Sequence, residues 1–138
     1  MILAIDIGST GIRSIVVNHE GKIVAYAYRR IVQSYPRSGS SEHDLDDIWA
    51  QCLAVCCDVL KSGCFETHSI KGIGLTTQRN TLAIWDRFSG KPLLPAISWS
   101  DNRAKDLCQI YSERDKTNRF LKRSGRRLLP SNIGLRLL

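Results

Sequence analysis

Asp6, Gly8, Ser9, Thr10, Gly11 and Arg13 have the types and the spacing to meet a phosphate. Glycines let the backbone approach an anion closely and aim its N–H groups at it, and the two hydroxyls add further donors. A carboxylate at Asp6 can hold a phosphate-bound Mg²⁺ directly or through water, and Arg13 can offset charge on a phosphoryl group in transfer. Taken alone, a glycine-serine turn of this kind also occurs simply as a turn. It is not a P-loop, because no Gly-Lys-Ser/Thr follows at the required spacing.

A second group lies at Gln78-Arg79-Asn80, with Trp99 further on. Arginine and asparagine both hydrogen-bond hydroxyls, and they fall where one strand ends and the next begins, a place where rigid scaffolds carry binding groups. Trp99 offers an apolar face to a carbon skeleton, with core packing as its other reading. Asp101 and Arg103 are expected to cap and pair at the helix that follows.

The elements that must position these groups follow from periodicity. Met1 to Ile7, Ile12 to Val17 and Lys22 to Arg29 read as three strands of an antiparallel meander, two of them meeting at the glycine turn. Strand following strand also rules out a dinucleotide-binding fingerprint, which needs a helix there. Residues 34 to 41, rich in Ser, Pro, Arg and Gly, read as a surface loop. Leu45, Ile48, Trp49, Cys52, Leu53, Cys56, Val59 and Leu60 then recur at helical spacing, with Asp44 to cap the start and Gly63 to end it. Short strands are expected at Ile70 to Leu75 and Thr81 to Trp85, with a turn from Asp86 to Pro92. Helices are expected over 101 to 113 and 115 to 123, and another from Ser131. The order is that of an α/β domain. A last helix of about two turns is shorter than an isolated helix needs, so the chain is expected to be part of a larger protein.

With 138 residues and 43% hydrophobic content, the chain suits one modest core, or a piece of one. Its formal charge of +7 is uneven, since residues 113–138 carry 8 Lys+Arg against 2 Asp+Glu. A basic tail of this kind fits solvated helix faces better than nucleic acid, as only Phe120 is interleaved as an aromatic. Cys52, Cys56, Cys57, Cys64 and Cys108 form neither a secreted disulfide framework nor a paired C-x-x-C, so reduced thiols are expected. No apolar run is long enough for a bilayer and no signal peptide opens the chain, which gives the expectation of a cytoplasmic protein that engages no membrane.

Four segments occur in order: Asp6 to Arg13; Glu42-His43-Asp44 with Ile48-Trp49; Gly72 to Thr81, containing Thr76-Thr77-Gln78-Arg79-Asn80; and Gly90-Lys91-Pro92 through Trp99-Ser100-Asp101-Asn102-Arg103. Together they resemble the N-terminal domain of the FGGY carbohydrate kinases, glycerol kinases and xylulokinases among them, over essentially the whole chain. The resemblance implies an actin-like, ribonuclease-H-like ATPase fold in two domains, with sugar and ATP in the cleft between them. Residues 1–138 would be part of the first domain, and the second would lie outside them.

Carried over by position, the resemblance implies that Asp6 helps place Mg²⁺ and that Gly8, Ser9, Thr10, Gly11 and Arg13 line the ATP phosphate site. Gln78, Arg79, Asn80 and Trp99 would belong to the sugar or polyol site. The general base of the family, an aspartate, would lie beyond residue 138, so no catalytic base is expected here and the chain alone should be inactive. Two departures widen the substrate expectation beyond glycerol: Asn80 stands where glycerol kinases carry glutamate, and Ser131 follows Pro130 where they carry tyrosine. A pentulose, hexulose or other polyol is on equal footing. The competing reading is a non-catalytic remnant that binds the missing kinase half or a second copy of itself. An actin-like or Hsp70-like ATPase, or a two-metal nuclease, ranks below both because neither gives the later segments a task.

Overall fold

The computed structural model describes residues 1–138. Strands β1 (Ile2–Ile7), β2 (Gly11–Val17) and β3 (Ile23–Arg30) form the expected meander. After two short strands, β4 (Gln33–Ser34) and β5 (Glu42–His43), helix α1 (Leu45–Leu60) crosses back and the chain returns as β6 (Gly72–Thr77), parallel to β1. The resulting mixed sheet has the order β3-β2-β1-β6. Parallel partners require a crossover of this length, and α1 supplies it while covering one sheet face.

The burial of α1 explains the sheet's alternation. Leu3, Ile12, Val16 and Ala25 point towards the helix and are buried there with Cys52, Val55 and Val59. Each aliphatic side chain removed from water in this way contributes about 1.5–3 kcal/mol. Asp44 caps α1 as expected, its Oδ1 accepting the N–H groups of Asp46 at 2.8 Å and Asp47 at 3.4 Å. Those two aspartates also place negative charge at the positive end of the helix dipole. The buried row is Cys52, Val55 and Val59, with Ile48 half-buried beside it, whereas Trp49 and Leu53, expected on the stripe, are exposed. The helix lies over only three strands, which leaves one edge of the broad apolar stripe in water.

A second, three-stranded antiparallel sheet joins β4, β5 and β7 (Ala96–Ile97). Its strands are two residues long and carry no periodic signal. Thr81 to Trp85 is not a regular strand: it is held by isolated bridges, Leu82 with Ile97 and Trp85 with Pro92, around the Asp86 turn. Helix α2 begins at Lys105 rather than 101 and runs to Arg114. It is followed by α3 (Arg119–Ser124) and the single turn α4 (Ile133–Arg136). Ala104, Cys108 and Leu135 form a small core that joins α2 to α4. No helix is long and apolar enough to cross a membrane, and all five cysteines are unpaired.

His43 on β5 is 1% exposed, and only its Nδ1 has a partner, the Val32 carbonyl at 3.4 Å. Burial lowers its pKa below the usual value, partly offset by that carbonyl. The folded state therefore binds this proton less readily than the unfolded state. Stability from this source is complete above the unfolded value of about 6.5 and is lost as pH falls from there towards the folded value. Resistance of the wild type to urea should fall as pH drops below about 6.5, and His43→Gln should flatten that slope. An unchanged slope in the variant would remove His43 as its source.

Candidate functional site

The β1–β2 turn is built around its glycines. The Gly8 N–H donates to the Gly11 carbonyl at 3.0 Å, and a Cβ on Gly11 would stand 2.3 Å from the Tyr28 hydroxyl. The Thr10 carbonyl accepts from the Tyr28 hydroxyl and from the Ile31 N–H, both at 3.3 Å. The N–H groups of Ser9 and Thr10 make no internal hydrogen bond. Thus the carbonyl side of the turn is anchored while two backbone donors stay without an internal partner, free for an anion.

Asp6 and Arg13 are directly paired across β1 and β2, which puts both side chains on one sheet face. Arg13 Nε lies 3.2 Å from Asp6 Oδ2, with the side chains 51% and 38% exposed. An exposed pair of this kind contributes about 0–1 kcal/mol to stability, so folding gives little reason for its presence.

The parallel pairing of β6 with β1 brings the second group alongside the turn. Ile7 is opposite Thr77, so Gln78, Arg79 and Asn80 leave β6 beside Gly8 and Ser9. Gln78 ties the two together: its Nε2 donates to the Gly8 carbonyl at 2.8 Å, and its Oε1 accepts from Thr81 Oγ1 at 2.9 Å. Thr81 Oγ1 in turn accepts the Trp99 N–H at 3.1 Å. Both ends of the Gln78 amide are thus engaged within the chain, whereas Arg79 is exposed. Asn80 takes a left-handed backbone, φ 63°, which is uncommon outside glycine.

These residues face one open cavity of about 710 Å³. Asp6, Gly8 and Ser9 form one wall, Gln78, Arg79 and Asn80 another, and Trp99 and Arg126 complete it. Trp99 is 50% exposed, which favours the binding reading over core packing. Thr10, Gly11 and Arg13 sit on the same hairpin but outside the cavity lining. Arg126 was not among the residues that the sequence singled out, because one cation in a basic tail has no local signature.

Asp101 is fully buried and does not cap α2, whose N-cap is Ala104. Its carboxylate accepts the Ser41 N–H at 2.7 Å and both the Arg103 N–H and Nε–H at 2.9 Å, while Arg103 also pairs with Glu42. Burial alone would push the Asp101 carboxyl up, but the Arg103 guanidinium and the two backbone donors more than offset it and hold it low. The expected Asp101–Arg103 pairing is present, and it serves to fasten β5 to the loop carrying Trp99.

No group of three or more His, Cys, Asp or Glu side chains converges to hold a metal ion. A single carboxylate at Asp6 is nevertheless the donor set that suits Mg²⁺, which keeps several waters and takes its remaining ligands from substrate phosphates.

A mixed sheet with the order β3-β2-β1-β6, carrying a glycine turn between its first two strands, places the molecule in the actin-like, ribonuclease-H-like α/β class. The chain belongs to the FGGY family of carbohydrate kinases, whose N-terminal domain matches residues 1–138. It is 40% identical over 124 residues to a glycerol kinase of Trichodesmium erythraeum, covering 90% of this chain and 25% of that protein. Plasmodium falciparum glycerol kinase, solved with ADP, superposes with a TM-score of 0.88 at 30% identity, covering 99% of this chain and 27% of that one. The xylulose kinase of Rhodospirillum rubrum gives 0.86 at 25% identity, with 98% and 28% covered. The chain spans about a quarter of the length of the curated relatives it matches.

Proposed function

We propose that residues 1–138 supply the phosphate turn and the acceptor pocket of an ATP-dependent kinase that phosphorylates a hydroxyl of a sugar or polyol. They would form part of its first domain, in a cytoplasmic setting that suits five free thiols. The observation that carries this reading is the shared cavity, in which Asp6, Gly8 and Ser9 face Arg79, Asn80 and Trp99. Ser9, Thr10 and Gly11 present donors to the transferring phosphate, and Arg13 offsets its charge. Arg79 and Asn80 hydrogen-bond acceptor hydroxyls while the Trp99 indole covers the carbon skeleton.

In the reaction, the acceptor oxygen bonds to the γ-phosphorus, the bond to the ADP oxygen breaks, and the hydroxyl proton passes to a carboxylate. Asp6 is the residue that would hold a Mg²⁺, directly or through water, and the ion would supply neutralisation of the phosphate charge. No carboxylate other than Asp6 lines the cavity. The base and the adenine site are therefore assigned outside residues 1–138. Ile73 and Leu75, 69% and 64% exposed on the edge strand β6, support a further packing partner there.

The test is ATP consumption with glycerol, pentuloses, hexuloses and pentitols, using residues 1–138 alone and the same chain extended through any coding region that follows. Acceptor-dependent turnover is expected only in the extended protein. Robust turnover by residues 1–138 would overturn the assignment of the base. Silence in both forms would leave the non-catalytic, partner-binding reading in its place.

A further inference from the structure

Arg136 is the only buried lysine or arginine in the chain. Its guanidinium meets no carboxylate and is instead wedged among main-chain carbonyls. Nη1 donates to Asn80 O at 2.8 Å and, at 3.5 Å, to Ile97 O, while Nη2 donates to Trp99 O and Asp101 O, both at 3.0 Å. Its Nε is buried without a partner. Burial lowers its pKa, with the nearby Asp101 charge opposing that shift. Keeping a cation here is costly unless its donors are well satisfied, so the site must gain something from the geometry it imposes.

The carbonyls identify that gain. Asn80 and Trp99 come from two loops 19 residues apart in sequence, and both line the cavity. The left-handed backbone of Asn80 is a conformation that surrounding structure must enforce. Arg136 grips both loops at once, and its helix α4 is itself anchored through Leu135 to Ala104 and Cys108. The phosphate turn is fastened separately, through Gln78 and Gly8. We infer that Arg136 is a positioning residue for the acceptor side of the cavity, setting the spacing of Asn80 and Trp99 without touching the acceptor. The substrate part of this inference rests on the kinase reading above; the structural part does not.

Arg136→Met and Arg136→Lys provide the test, read first by amide exchange. In Arg136→Met, the Leu82, Ile97 and Trp99 amides should exchange about tenfold faster or more, while amides of α1 and the β1–β2 pair keep their rates. Lysine, which retains a cation with three donors, should restore part of the protection, and it carries the test if the methionine variant does not fold. In the active kinase, the methionine variant should raise the acceptor KM about tenfold with the ATP KM unchanged, since misplaced binding groups weaken only the contacts they make. Exchange that is unchanged, or accelerated equally throughout, would overturn the inference. So would a parallel rise in both KM values. If the wild type accepts no sugar or polyol, the kinase reading fails, and the exchange result alone decides whether Arg136 holds the two loops.

Discussion

Asp101→Ala should destabilise the fold by about 1–3 kcal/mol, the range for leaving buried donors without an acceptor, since Arg103 keeps its pairing with Glu42. Against a total of about 5–15 kcal/mol for a domain, that is a loss a urea melt resolves clearly. Three donors lose their acceptor at once: the Ser41 N–H, the Arg103 N–H and the Arg103 guanidinium. Asp101→Asn should cost less, because an amide oxygen can still accept from one of them. The pH dependence separates charge from shape. The carboxyl is held low in the folded state, so its contribution is present above the unfolded value of about 3.9 and is lost as pH falls through the folded value. In urea melts, the gap between wild type and Asp101→Asn should therefore be widest near neutrality and shrink below about pH 4. A gap that stays constant into acid would mean that the charge of Asp101 contributes nothing.

What could be read from the sequence follows the range of the forces involved. The meander, the helix and the glycine turn are written in local patterns, because alternation, helical spacing and capping act over a few residues. Their juxtaposition follows only from the parallel pairing of β6 with β1, a long-range contact that makes Gln78 to Asn80 emerge beside Gly8 and has no local pattern. Other features had no local pattern to betray them. The two-residue strands β4, β5 and β7 are too short to show a period. Val55 entered the core in place of Trp49 and Leu53 because the width of the sheet, not the helix sequence, decides which part of a broad apolar stripe is covered. Asp101 reads as a helix cap from its neighbours, yet its Ser41 partner is 60 residues away. Arg136 is the extreme case: in sequence it is one more cation in a basic tail, and only the carbonyls of four residues, 35 to 56 positions distant, reveal it as buried. The charge count of that tail was correct, but charge counts do not say which cations turn inward.

Replacing Asp6 with asparagine should have the opposite character: a large loss of activity with almost no loss of stability. Its one ion pair, with Arg13, is exposed on both sides, so the melting temperature should move little. If Asp6 handles the charge that develops during phosphoryl transfer, kcat for the extended kinase should fall by about 10²- to 10³-fold, the size seen when one preorganised electrostatic contact is removed. The KM values make the prediction specific. Removing the carboxylate frees Arg13 beside a turn that already offers donors to an anion, so ATP binding should hold steady or tighten while turnover collapses. The acceptor KM should not change, since Arg79, Asn80 and Trp99 keep their supports. Asp6→Glu, with the charge restored one methylene further out, should recover part of kcat if Asp6 holds the metal through water. A fall in ATP affinity that accounted for the whole loss would instead assign Asp6 to ground-state binding, and unimpaired turnover would remove it from the site altogether.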